Sequence, residues 1–130
     1  MVELSPAGIR TVLAPPLVPA QRPIDLVHLS RMTLDDRALE REVLALFDRQ
    51  MSIMMERIGT SSPDVAAAAA HTLKGSASGI GAWQVASAAA AVESAAKDGD
   101  NSVWRQRIAG LNDAVRDARC GISELLQADA

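Results

Sequence analysis

The residues with the clearest chemical potential are a histidine, a lysine and a glycine in the segment AHTLKGSAS at residues 70–78. In a helix, which turns by about 100° per residue, His71, Lys74, Gly75 and Ser78 share one face. The apolar residues of the segment share the opposite face, so the imidazole is predicted to point to solvent. An exposed imidazole has a free ring nitrogen at neutral pH, and this nitrogen can act as a nucleophile towards phosphorus.

The neighbours of His71 suit a phosphoryl group on its ring. Lys74, three residues on, lies close enough to balance the added negative charge. Gly75 and Ala70 are expected to keep the outer face low, so that the backbone of a partner can approach. A glycine inside a helix lowers stability by roughly 0.5–1 kcal/mol relative to alanine. Its presence in a helix otherwise rich in alanine therefore indicates a reason other than stability. From these residues alone, a functional histidine and an ordinary solvated one are equally favoured.

A set of helices is expected to position this segment. Capping residues and apolar periodicity predict a short helix over residues 24–31 and long helices over 33–59, 62–80, 83–97 and 102–127. Thr33 and Ser62 are predicted as N-caps, and Pro63 suits a first helical position. Four long helices with short connections predict an all-α fold, an antiparallel up-down four-helix bundle with a short leading helix.

Apolar stripes indicate which faces of two of these helices are buried. The expected stripe of the first long helix is Leu39, Val43, Leu46, Phe47, Met54 and Ile58. The last long helix has a heptad-like seam of Trp104, Ile108, Leu111, Val115, Ala118, Ile122 and Leu125. Both stripes favour packing of the long helices against one another.

Length and composition limit the classes of protein that remain. The 130 residues are 48% apolar and 2% aromatic, which favours one helical domain over residues 24–130. Residues 1–23 hold five of the six prolines and are predicted to form a Pro-rich N-terminal arm. A net charge of −3 disfavours nucleic acid as a partner. Cys120 alone cannot form an internal disulfide, and no run of about 18 apolar residues predicts a membrane span. A cytoplasmic monomer is the simplest expectation.

A known family shares the segment around His71. The sequence HTLKGSA at residues 71–77, followed by Gly81 and Ala82, resembles the histidine-containing phosphotransfer (HPt) domain of multistep two-component signalling. Val92, Glu93 and the segment AAKDGD at residues 95–100 resemble the second hairpin helix of that family and its exit turn. The resemblance spans residues 24–127, and it implies a four-helix bundle with a short leading helix.

The resemblance also implies a role for each residue of the segment. His71 would accept the phosphoryl group, Lys74 would neutralise it, and Glu93 would hold the unreacted ring nitrogen. Ala70, Gly75 and Ser78 would face the docking partner. The implied partners are response-regulator receiver domains and a hybrid or other sensor histidine kinase. The receiver would supply Mg²⁺ and an acidic pocket, while this chain would bind no cofactor and would not phosphorylate itself.

Other functions are open at this point. Gly75, Gly79 and Gly81 fit the pattern GxxxGxG, which resembles the phosphate-binding turn of short-chain dehydrogenases, although that turn must follow a strand and open a helix. A helical scaffold that binds receiver or kinase domains without being phosphorylated is a second alternative. A metal site is disfavoured. Asp98 and Asp100 resemble the first ligands of a calcium-binding loop, but the glycine and the bidentate glutamate that such a loop needs further on are missing. Gly79, where many HPt domains have a bulkier polar residue, is expected to shorten or bend the end of its helix.

Overall fold

Five helices make up the part of the chain that the structure, a computed structural model, describes, which is residues 22–128. They are α1 (Leu26–Met32), α2 (Arg37–Thr60), α3 (Pro63–Ile80), α4 (Trp83–Asp98) and α5 (Asn101–Ala128). No strand occurs among these residues, so the predicted all-α class and its five helices are confirmed. The arm expected at residues 1–23 lies outside the described residues, apart from its last two. None of the five helices is long and apolar enough for a membrane span.

The connection between α1 and α2 differs from the sequence prediction. Asp36, not Thr33, is the N-cap of α2, and its carboxylate accepts a hydrogen bond of 3.0 Å from the Leu39 amide. Thr33 instead ends α1, where its buried hydroxyl donates to the Leu29 carbonyl at 2.8 Å. The prediction was wrong because a threonine hydroxyl can serve either end of a helix, and that of Thr33 is engaged with the carbonyl four residues earlier in α1.

Helices α2 to α5 pack in a ring, with α2 against α3, α3 against α4, α4 against α5 and α5 against α2. The side of α3 that faces the core is made mostly of alanine, with one large residue: Ala66, Ala69, Ala70, Leu73 and Ala77. Small side chains let neighbouring backbones come close together, and they lose no rotamer freedom on burial. The composition that favoured helix therefore also determines how closely α3 can approach its neighbours.

The two predicted stripes had different outcomes. The seam of α5 is confirmed, because four of its residues are buried and the other three pack partly buried against the core. In α2, however, Leu39 and Leu46 are exposed, while Leu44 and Met51 are buried in their place. Leu46 lies about 100° around the helix from Phe47, and that rotation carries it off the core face.

Helix α1 and its N-cap form hydrogen bonds with both the end of α3 and the start of α4. The amide of Asp25 donates to the Gly81 carbonyl at 2.9 Å, and Trp83 Nε1 donates to Asp25 Oδ2 at 2.9 Å. His28 Nε2 donates to the Gly79 carbonyl at 3.1 Å, and its ring packs edge-on against Trp83. Gly81 has a φ of +87°, and a Cβ there would lie 3.0 Å from atoms of Asp25, so this close turn requires glycine.

The packing of α3 predicts how added volume affects stability. Ala77 is fully buried, so Ala77→Leu forces side chains or backbones apart and is expected to lower the free energy of unfolding by about 1–3 kcal/mol. Ala68→Leu, on the exposed side of the same helix, is the matched control and is expected to stay within about 0.5 kcal/mol. Urea unfolding of both variants measures the difference. Equal stabilities would contradict close packing at Ala77.

Candidate functional site

His71 lies near the middle of α3, on the side of the helix that faces away from the core. Its side chain is 64% exposed, as the helical periodicity predicted. The residues on either side of its turn, Ala70 and Leu73, are fully buried and hold this part of α3 against the rest of the molecule. The imidazole is therefore presented to solvent from a helix whose backbone is fixed by packing.

Glu93 reaches His71 from α4, the helix that packs beside α3. Its Oε2 lies 2.9 Å from His71 Nδ1, and its Oε1 lies 3.3 Å from Lys74 Nζ. One carboxylate thus contacts both candidate side chains of α3, one with each oxygen. Val92 and Ala95, on either side of it in α4, are buried, so Glu93 emerges at the edge of the α3–α4 interface with a side chain that is 24% exposed.

The electrostatics of this group determine which ring nitrogen is free. Partial burial acts to raise the pKa of Glu93, but hydrogen bonds and charges from Lys74 and His71 outweigh it and hold the pKa below its ordinary value. An ionised carboxylate can only accept hydrogen bonds, so His71 Nδ1 must carry the proton that lies between them. In the neutral ring, Nε2 then has an unprotonated lone pair.

No side chain stands beside the imidazole at residue 75, as predicted for Gly75. A Cβ built on Gly75 meets no heavy atom within 4 Å, apart from the backbone of its own helix. Ser78, one turn further along α3, is half-buried. Among residues 22–128, no neighbouring atom lies so close that residue 75 has to be a glycine.

Ala70 is a correction to the sequence prediction. It was expected to keep the outer face low, but it is 0% exposed. The reason is its helical phase, because Ala70 lies four residues after buried Ala66 and three before buried Leu73. It belongs to the core stripe and cannot face a partner.

The dehydrogenase alternative is overturned, and so is the expectation that Gly79 shortens its helix. Gly75 and Gly79 lie inside α3, and Gly81 is its C-cap, so a helix and not a strand leads directly into the glycine pattern, and no helix begins within it. Gly79 does not shorten the helix, which continues to Ile80. His28 hydrogen-bonds to the Gly79 carbonyl and so satisfies a group that the helix end leaves without a partner.

The ion pair between Lys74 and Glu93 was missed at the sequence level. Each residue was assigned a separate role, and the relative position of α3 and α4 is not contained in the periodicity of either helix. The only signal available was that both residues have an exposed helical phase next to a buried stripe. Within residues 22–128, no group of three or more His, Cys, Asp or Glu side chains is arranged to hold a metal ion.

Comparisons with known proteins concern the family and the fold of the chain. Residues 38–121 match the family model of the Hpt domain. A solved structure of similar fold belongs to a rice protein provisionally named a histidine-containing phosphotransfer protein. It superposes with a TM-score of 0.73 at 21% identity, covering 83% of this chain and 82% of that one. At this level of identity, the likeness to the rice protein shows a similar fold. No curated protein sequence matches the chain.

The lowered pKa of Glu93 predicts how its contribution to stability depends on pH. The folded state binds this proton less readily than the unfolded state, so the contribution is full above the ordinary pKa of glutamate. It is lost as the pH falls through the lowered value. The native chain should therefore be more stable than Glu93→Gln near neutral pH, and the difference should close in acid. Urea unfolding at several pH values measures this, and a difference that does not change with pH would contradict it.

Proposed function

Because the chain belongs to the Hpt domain family, we propose that it is a phosphorelay intermediate that carries a phosphoryl group on His71. It takes the group from the aspartyl phosphate of one receiver domain and passes it to another. The observation that carries this proposal is the exposed imidazole, with its Nδ1–H bound to Glu93 and its Nε2 turned away from that contact. A nucleophile needs this free lone pair, and it needs to be accessible to a second protein.

The proposed step begins with attack by the Nε2 lone pair on phosphorus. The N–P bond forms, the bond from phosphorus to the aspartyl oxygen breaks, and the receiver keeps its carboxylate with the released electron pair. The proton on Nδ1 stays on the ring, held by Glu93. Lys74 leaves or shares its contact with Glu93 and balances the charge of the phosphoryl oxygens.

The rest of the reaction centre belongs to the partner in this proposal. Phosphoryl transfer depends mainly on positioning and on stabilisation of charge. A receiver domain supplies Mg²⁺ and the acidic pocket, and this chain supplies the nucleophile on a packed helix. It is a carrier without autokinase activity, and a hybrid or other sensor histidine kinase stands upstream of it. Gly75 and Ser78 lie in the surface on which the receiver docks.

The proposed architecture is that of the family. Helices α2 to α5 form an antiparallel up-down four-helix bundle, α1 leads into it, and residues 24–130 make one domain. The ring of contacts among the four long helices supports this arrangement.

A histidine substitution tests the central step. His71→Gln removes the nucleophile and is expected to abolish acceptance of phosphate from a phosphorylated receiver. His28→Gln is the matched control, since the sequence has two histidines and His28 is engaged in the contacts of α1. The readout is acid-labile, alkali-stable phosphate on the chain, measured across the receiver domains of the source organism. Acceptance by His71→Gln at the native rate would show that another residue reacts.

A glycine substitution separates docking from stability. Gly75→Gln adds a side chain beside His71, where a partner backbone must approach, and should weaken receiver binding about tenfold or more, or ~1.4 kcal/mol. It should not destabilise the fold, because the site is open and glycine is the poorer helix former.

The matched control is Gly110→Gln in α5, where an added Cβ also meets open space. Binding is measured by calorimetric titration with a receiver domain, and stability by thermal unfolding. If Gly75→Gln bound as tightly as the native chain, the receiver would not contact this part of α3.

A further inference from the structure

The carboxylate of Glu93 touches the ring nitrogen opposite the one proposed to react. Its Oε2 accepts the Nδ1–H of His71 at 2.9 Å, while Oε1 binds Lys74. To hold the tautomer before the reaction, any hydrogen-bond acceptor would be sufficient, including a neutral amide. A full negative charge at this distance has a further consequence once the ring carries a phosphoryl group.

That consequence concerns the second half of the relay, in which the phosphoryl group leaves His71. An aspartate oxygen of the acceptor attacks phosphorus, the P–Nε2 bond breaks, and its electron pair returns to Nε2. If Nδ1 still carries its proton, the leaving group is neutral imidazole. If that proton has been lost, the leaving group is an imidazolate anion, which is far more basic and leaves slowly.

We propose that the negative charge of Glu93 keeps the Nδ1 proton on phosphorylated His71 and so primes the ring to give up its phosphoryl group. The proposal rests on the proposed function and extends it from the acceptance of phosphate to its release. The ionised carboxylate stabilises the protonated, positively charged ring by direct contact. An amide at the same place would keep the hydrogen bond but lose this stabilisation.

The surrounding charges are arranged consistently with this role. In the hydrogen bonds and ion pairs of residues 22–128, the charged groups that face His71 are Glu93 from α4 and, through Glu93, Lys74 from α3 itself. Helices α1 and α2, which also pack against α3, form no such contact with the imidazole. Lys74 helps to keep Glu93 ionised, and it lies on the oxygen that does not contact the ring.

The size of the effect follows from the strength of such contacts. An opposite charge within about 4–6 Å commonly favours the charged form of a group by 1–3 pKa units. The lower end of that range corresponds to a tenfold change in the protonated fraction. At a pH where most uncontacted phosphohistidine rings have lost the proton, release should therefore be about tenfold slower without the carboxylate charge.

The test compares the native full chain with Glu93→Gln, which keeps an oxygen acceptor and removes the charge. Glu124→Gln, at an exposed residue of α5, removes the same charge elsewhere and is the matched control. All three are phosphorylated with phosphoramidate, which bypasses the acceptance step. Loss of phosphate by hydrolysis and by transfer to a receiver domain is then followed over a pH series, with ¹⁵N NMR reporting the proton on Nδ1.

The expected result is that the rate for Glu93→Gln falls at a lower pH than the rate for the native chain. On the alkaline side the native chain and Glu124→Gln should release phosphate about tenfold faster, with Nδ1 still protonated. Identical pH profiles for Glu93→Gln and the native chain would overturn the inference. Slow loading followed by release at the native rate would also overturn it, since Glu93 would then act only before transfer.

Failure of the inference and failure of the proposed function give different results. Hydrolysis of the phosphoramidate-loaded chain requires no receiver, so its pH profile tests Glu93 alone. If the native chain exchanged phosphate with no receiver domain, the proposed function would fail, whatever the hydrolysis profile. If it exchanged phosphate normally and the profiles coincided, only the role of the charge would be lost.

Discussion

The contact of one carboxylate with two side chains across the α3–α4 interface is the interaction on which the site depends. Glu93 can reach both His71 and Lys74 only if the two helix backbones lie close together and in one register. Alanine supplies that closeness on both helices. The buried residues of α3 and α4 are mostly alanine, with Leu73, Val85 and Val92 as the larger members. Larger residues would move Glu93 away from the ring, and the imidazole would lose its only carboxylate partner among the described residues.

Helix α3 must pack firmly against the core and also leave His71 accessible, and it meets each requirement with a different face. The inner face of α3 buries apolar surface and fixes the backbone. The outer face carries an exposed histidine and an open glycine, which bury little apolar surface. Mid-helix glycine costs roughly 0.5–1 kcal/mol, which the packing of the inner face must offset. The hydrogen bonds of α1 to the end of α3 add support at the turn into α4, where Gly79 and Gly81 would otherwise leave carbonyl groups without partners.

Much of this organisation could be predicted from the sequence, because it follows from helical periodicity alone. The bounds of α3, the exposure of His71 and the seam of α5 all depend on residues three or four apart along one helix. The failures depend on something else. Leu46 and Ala70 were assigned to the wrong face because each lies near the boundary of a stripe, where a rotation of one residue decides burial. The contact between Lys74 and Glu93 depends on the position of α3 relative to α4 along their axes, and the sequence pattern of neither helix specifies that position.

The proposed relay, in which one histidine both accepts and releases a phosphoryl group, accounts for a site with few groups on a packed helix. A carrier that bound the phosphoryl group tightly would accept it readily and release it slowly. In the proposed relay, Lys74 would stabilise the phosphorylated state by its positive charge, whereas Glu93 would add a negative charge close to it and, through Nδ1, favour a good leaving group. The two residues would then act in opposite directions on the lifetime of the phosphorylated ring, and their ion pair couples them in the unphosphorylated chain. If both roles hold, the balance between the charges of Lys74 and Glu93 would set how readily the phosphoryl group leaves His71.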